Sequence, residues 1–104
     1  MTCLEFGKYI INNIKRATLS NALNICNKIN IDNGYDFNEL VKSINDYTGE
    51  LIAASKIDKI IAYKIIIICK DALDKYNSSF NYNKKMIIDD FVIRLWETFA
   101  KGEK

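Results

Sequence analysis

No proline occurs anywhere in this chain of 104 residues, and its apolar side chains recur three or four positions apart along most of its length. Proline is the residue that most reliably stops a helix, and that spacing gathers apolar groups on one helical face. Four segments carry the pattern, joined by connections of roughly 3–7 residues, which favour antiparallel neighbours. They predict an all-α fold: a compact antiparallel bundle of four to five helices, with residues 1–104 forming a single helical domain. Hydrophobic residues make up 49% of the chain and charged residues 27%, enough to bury one core and too apolar for disorder.

The first segment opens on Thr2-Cys3-Leu4-Glu5, the spacing of a reciprocal N-terminal capping box. Leu4, Ile11, Ile14, Ala22, Ile25 and Ile29 continue it. Thr18-Leu19-Ser20-Asn21 is its weak point, so we expect one helix kinked or broken near residue 19, with Ser20 able to cap a new start. Asn33-Gly34 marks a turn, and Asp36 then reads as an N-cap with Glu39 at the third helical position and Tyr35 stapled onto Leu40. This second helix carries Phe37, Leu40, Val41, Ile44, Tyr47, Leu51 and Ile52 on one side. Gly49 sits inside it at a cost of up to roughly 1 kcal/mol against alanine, and marks either a close helix crossing or an accident.

Ser55-Lys56-Ile57-Asp58 resembles a third cap, with Ser55 as the capping residue. The segment from Ile57 to Tyr76 is apolar nearly all round, which predicts a buried central helix. Its β-branched isoleucines would also suit a strand, but its length favours a helix. Asn77 to Asn81 reads as a loop. The last helix runs from about Tyr82 to Ala100, with Ile88, Phe91, Leu95 and Phe99 on one stripe and Ile87, Val92 and Trp96 beside it. Lys101-Gly102 ends that helix, and Trp96, one residue off the stripe, is a candidate exposed anchor.

The inventory for catalysis is thin. Histidine is absent, which rules out Ser-His-Asp and Cys-His arrangements and every His-containing metal site. Cys3, Cys26 and Cys69 lie 22 or more residues apart among apolar neighbours, as reduced core thiols do. None of the 4 glycines belongs to a phosphate-binding loop. Asp89 and Asp90 point about 100° apart on a helix, and Asp90 is placed to pair with Arg94. Lys64 has the most apolar lysine setting, yet a long lysine at a core edge usually reaches water. We therefore expect no enzymatic activity, no cofactor and no metal.

The net charge is +2 and the pI about 8.4, with residues 1–52 at −1 and residues 53–104 at +3. That balance argues against nucleic acid as a partner. A basic face of Lys56, Lys59, Lys70, Lys75, Lys84 and Lys85 is interleaved with Asp58, Asp71 and Asp74, which should cancel most of its field. The most apolar stretch, Ile60 to Cys69, is interrupted by Lys64 and is half the length of a membrane span, so no membrane partner is expected. MTCLEF has none of the features of a secretory signal, and with three free thiols this leads us to expect a cytoplasmic protein.

The second helix carries the sharpest surface feature. Glu39, Ser43, Asp46 and Glu50 fall at i, i+4, i+7 and i+11, a mostly acidic stripe opposite Leu40, Ile44 and Leu51. Asp36 extends it and Tyr47 borders it, making Asp36, Glu39, Asp46, Tyr47 and Glu50 the candidate contact set for a basic protein partner. The plainer alternative is a solvated face kept acidic for solubility. In its size, helical content, residue choice rich in isoleucine, lysine and asparagine, and acidic stripe Glu39, Asp46, Glu50, the whole chain is similar to small helical immunity proteins of bacterial toxin systems, such as those of bacteriocins or contact-dependent growth inhibition. The resemblance implies tight one-to-one binding of a basic toxin domain. A phage or viral inhibitor of a host factor, a helical nucleic-acid-associated regulator, and a structural homodimer are the alternatives.

Overall fold

The computed structural model describes residues 2–30, 36–78 and 83–102. They form five helices: α1 (Cys3–Ile14), α2 (Leu19–Asn30), α3 (Phe37–Ala53), α4 (Lys59–Tyr76) and α5 (Lys84–Gly102). No strand occurs among the described residues, so the extended alternative for residues 57–76 does not hold.

Every helix starts where a side-chain oxygen meets its free amides. At α1 the capping box closes in both directions, Glu5 N to Thr2 Oγ1 at 3.1 Å and Thr2 N to Glu5 Oε1 at 3.3 Å. Those bonds to Thr2 hold the Glu5 carboxyl below the usual carboxylate range. Asp36 caps α3 by accepting from Asn38 N at 3.1 Å, as its sequence position implies. Asn83 caps α5, accepting from Lys85 N at 2.9 Å and Met86 N at 3.3 Å. The Tyr35 staple, the Asn33-Gly34 turn and the Tyr82 start lie outside the described residues.

Two boundaries differ from expectation. The first segment is two helices, and Thr18 rather than Ser20 caps the second, its hydroxyl accepting from Asn21 N at 3.2 Å. A threonine two residues earlier does the same work, and Ser20 is left exposed inside α2. The cap of α4 is Asp58, which accepts from Ile60 N at 2.9 Å and Ile61 N at 3.1 Å. Ser55 instead terminates α3. It adopts φ 55, its amide bonds Ile52 O at 3.0 Å, and Lys56 N bonds Leu51 O at 2.9 Å. This is a Schellman closure with serine at the position that favours glycine.

Successive helices alternate in direction. Asn77 meets Asn38 across α4 and α3, Arg94 meets Asp71 across α5 and α4, and Trp96 and Asp89 of α5 meet Ala17, just before α2, and Cys26, in its second half. In space the helices run α2, α5, α4, α3, α1, with α1 touching α2 and α5 only slightly. The α1–α3 pair is parallel: Gly7 lies against Ser43 and Ile44, and Asn12 accepts from the Tyr47 hydroxyl one turn further along both. Gly7 permits that approach, because a Cβ there would stand 3.2 Å from Ser43 Cβ and 3.4 Å from Ile44 N.

One core unites the faces, including Ile10, Ile11 and Ile14 of α1, Leu40, Val41 and Ile44 of α3, and Phe91, Val92 and Leu95 of α5. Phe37 packs on Tyr76 and edge-on to Phe91, with ring centroids 4.7 and 5.6 Å apart. Thr48 is the buried polar side chain among the described residues, and its hydroxyl donates to Ile44 O. The isoleucine-rich helix is not central. α4 buries Ala62, Ile65, Ile68, Cys69 and Ala72 against α3 and α5 and turns the opposite face outward. Apolar residues on all sides do not by themselves enclose a helix; each member of this assembly packs on its neighbours and keeps an outer side. Leu4 of α1 likewise lies exposed, off the buried face.

Ser55→Gly should stabilise the fold by about 0.5–1 kcal/mol by removing a Cβ from left-handed backbone. An unchanged or lower thermal midpoint would show that the closure carries no strain. Gly49 has open space where a Cβ would sit, so Gly49→Ala should add about 0.5–1 kcal/mol through helix propensity alone. The same change at Gly7 should be net destabilising, by about 1–2 kcal/mol, because two of the atoms it meets, Ser43 Cβ and Ile44 N, are fixed to the frame of α3 and cannot rotate away. Chemical denaturation of the two variants side by side checks both signs.

Candidate functional site

The acidic stripe follows from the register of α3. With Leu40, Ile44 and Leu51 buried, positions 39, 46 and 50 fall on the far side of the helix, and Glu39, Asp46 and Glu50 are all exposed. Glu39 sits 3.9 Å from Lys42, an exposed pair that screens little. No ion pair joins Asp46 or Glu50 among the described residues. Ser43, within the stripe, donates its hydroxyl to Glu39 O at 2.8 Å. The ridge is therefore two unneutralised carboxylates with a third loosely held, on a rigid helix.

The other two candidates have internal tasks. Asp36 lies exposed at the start of the ridge with one carboxylate oxygen accepting from the Asn38 amide in the first turn of α3. Tyr47 is half-buried on the α1 side, donates to Asn12 Oδ1 at 3.0 Å, and lies under the Lys8 ammonium at 5.5 Å. It ties α1 to α3. Trp96 is also occupied: its indole N–H donates to Ala17 O at 2.8 Å and pins the α1–α2 corner to α5.

The basic face is cancelled in part: Lys75 pairs with Asp71 and Lys85 with Asp89, both at 3.1 Å, whereas Lys56, Lys59 and Lys70 have no ion pair among the described residues. Asp58 is committed to the α4 cap, and Asp71 accepts from Arg94 at 2.6 Å and Lys75 at 3.1 Å, which holds its carboxyl below the usual range. Arg94 bridges α5 to α4 in this way and lies 3.8 Å from Asp90, the pairing anticipated from spacing. The link to Asp71 spans 23 residues and has no local signal. Between α1 and α2 a cleft is lined by Asn12, Asn13, Arg16, Asn21, Asn24 and Lys28. Its polar groups are partly spent internally, with Lys28 donating to Tyr9 OH at 2.8 Å and Asn13 to Tyr9 O at 2.7 Å.

The feature that sequence reasoning missed is the outer face of α4. Ile60, Tyr63 and Ile67 are 65%, 58% and 61% exposed, at i, i+3 and i+7. Their spacing was visible, but a segment apolar on every side hides which stripe is left over.

No family model, no curated protein and no solved structure matches this chain. Among the described residues, no three Cys, Asp or Glu side chains gather into a metal-binding group, and no helix is long and apolar enough to cross a membrane.

The three cysteines are free thiols, Cys3 half-buried and the other two buried. Burial disfavours the thiolate, pushing Cys26 up to about 11 and Cys69 up to about 12 from an ordinary 9.0. At neutral pH a thiol-specific chromogenic reagent should modify Cys3 first and the other two only on unfolding. Three equally fast thiols would contradict this burial. Between pH 9 and those raised values the folded chain holds more thiol protons than the unfolded one. The stability that this burial confers is thus intact below pH 9 and lost as the pH climbs through the window, so the urea midpoint should fall across it.

Proposed function

We propose that this chain is a non-enzymatic protein-binding module, an immunity or inhibitor protein that neutralises a basic toxin domain by direct contact through the outer face of α3. One observation carries this reading: Glu39, Asp46 and Glu50 share an exposed face of a helix anchored by Leu40, Ile44 and Leu51, and the last two acids of that face have no ion-pair partner among the described residues. Carboxylates held on a rigid element attract a cationic surface at a distance and fix its register on contact. A flexible loop would lose part of that gain to ordering. Displaying them costs the fold little, because none of the three supports the core.

Charge reversal of Glu39, Asp46 and Glu50 to lysine should leave the thermal midpoint nearly unchanged, as exposed helix positions do. It should weaken binding to a partner co-purified from the native host by about a hundred-fold or more. Titration calorimetry on the purified pair measures this. A partner whose affinity survives the triple reversal does not use α3, and the proposal is then wrong.

A further inference from the structure

We infer that the outer face of α4 is a second docking surface, built to receive an acidic amphipathic helix of a protein partner. This surface is separate from the acidic ridge and does not depend on it. Ile60, Tyr63 and Ile67 line up over two turns of α4 and project from the bundle, the spacing by which one helix presents anchors to another. Beside them runs a groove between α4 and α5, walled by Ile67, Ile68 and Thr98 and edged by Lys64 and Lys101. A partner helix lying along the stripe would set its own apolar side chains into that groove.

Charge selects the occupant. Lys56, Lys59, Lys64 and Lys70 surround the stripe, all exposed, and no ion pair joins any of them among the described residues. The one acid among residues 56–70 is Asp58, whose carboxylate is turned to the α4 cap. The remaining neighbours are already matched: Arg94 with Asp71, and Lys101 with Glu97 at 3.6 Å. An incoming helix with glutamates flanking an apolar seam would complement the four free ammonium groups. A second copy of this chain on the same face would instead bring lysines against lysines, which opposes closure. A phosphate backbone would meet three bulky apolar side chains at the centre of the contact. An anionic lipid surface would lay negative charge over Asp74 as well, which continues the same line at i+7 from Ile67 and is exposed, whereas a helix seated on Ile60, Tyr63 and Ile67 can end short of it.

The test uses isotope-labelled full chain and a synthetic amphipathic peptide with leucine at i, i+3 and i+7 flanked by glutamate, alongside its lysine-flanked counterpart. Saturable binding of the acidic peptide is expected, with resonance shifts centred on Ile60, Tyr63 and Ile67. Ile67→Asp and Lys59→Glu/Lys64→Glu should each weaken it by about ten-fold or more. The lysine reversal should also raise affinity for the basic peptide, a readout that misfolding cannot mimic. The inference is overturned if neither peptide binds, if both bind equally, or if the shifts fall on α3. It is overturned equally if Ile67→Asp abolishes a concentration-dependent dimer or binding to phosphatidylserine vesicles, since the occupant would then be another copy or a lipid surface. Reversal of Glu39, Asp46 and Glu50 should leave acidic-peptide binding intact, so the two surfaces can fail separately.

Discussion

An odd number of helices cannot alternate in direction all the way round a shared core. Five of them alternate along the chain here, and the spatial order α2, α5, α4, α3, α1 absorbs the mismatch in the parallel contact of α1 with α3. That contact depends on Gly7. Without a side chain there, α1 approaches α3 until Ser43 Cβ and the Ile44 amide come within van der Waals range of where a Cβ would be. The Tyr47–Asn12 hydrogen bond follows one turn on, and Ile10, Ile11 and Ile14 reach the common core. Much of the remaining architecture is conventional antiparallel packing joined by short connections.

Local chemistry was well written in the sequence. The Thr2–Glu5 box and the Asp36 cap form as their spacing implies, since each involves atoms within three residues of one another. The buried stripe of α5 was equally plain: Ile88, Phe91, Leu95 and Phe99 face one way, with Asp90 and Glu97 on the far side. The errors arose where several residues could do the same job. Thr18 and Ser20 both offer a capping hydroxyl, and Ser55 and Asp58 both precede α4; what decides is where the chain must turn to bring the next helix home. In Ile57 to Tyr76 the apolar residues exceed what one face needs, so periodicity could not say which would be left outside. Arg94–Asp71 and Trp96–Ala17 were invisible for a different reason: they join residues brought together only by the completed fold.

The candidate surface was legible in part. The exposure of Glu39, Asp46 and Glu50 follows directly from burying Leu40 and Ile44 one side over. The capping role of Asp36 was plain from its position, whereas Tyr47 carries an additional duty in packing that a single sequence does not disclose. The lysine field on the outer side of α4 is cancelled by interleaved aspartates only in part. Asp71 neutralises Lys75 and is shared with Arg94, Asp58 spends its charge at the α4 cap, and Lys56, Lys59, Lys64 and Lys70 have no ion pair among the described residues. A nearly neutral chain thus presents an acidic outer face on α3 and a basic, apolar one on the adjacent α4.

The contacts also divide the molecule unequally. α3, α4 and α5 follow one another in the chain and pack broadly in that order, whereas α1 rests on α3 and α2 on α5, with little shared between α1 and α2. The three later helices have the makings of a cooperative kernel, assembled from neighbours in sequence and hence quick to find one another. The N-terminal pair would dock afterwards as two arms, held at their elbow by the indole of Trp96. Amide exchange under native conditions should then be fastest in α1 and α2 and slowest around Phe91 and Leu95; uniform protection across all five helices would show instead that the chain opens only as a whole.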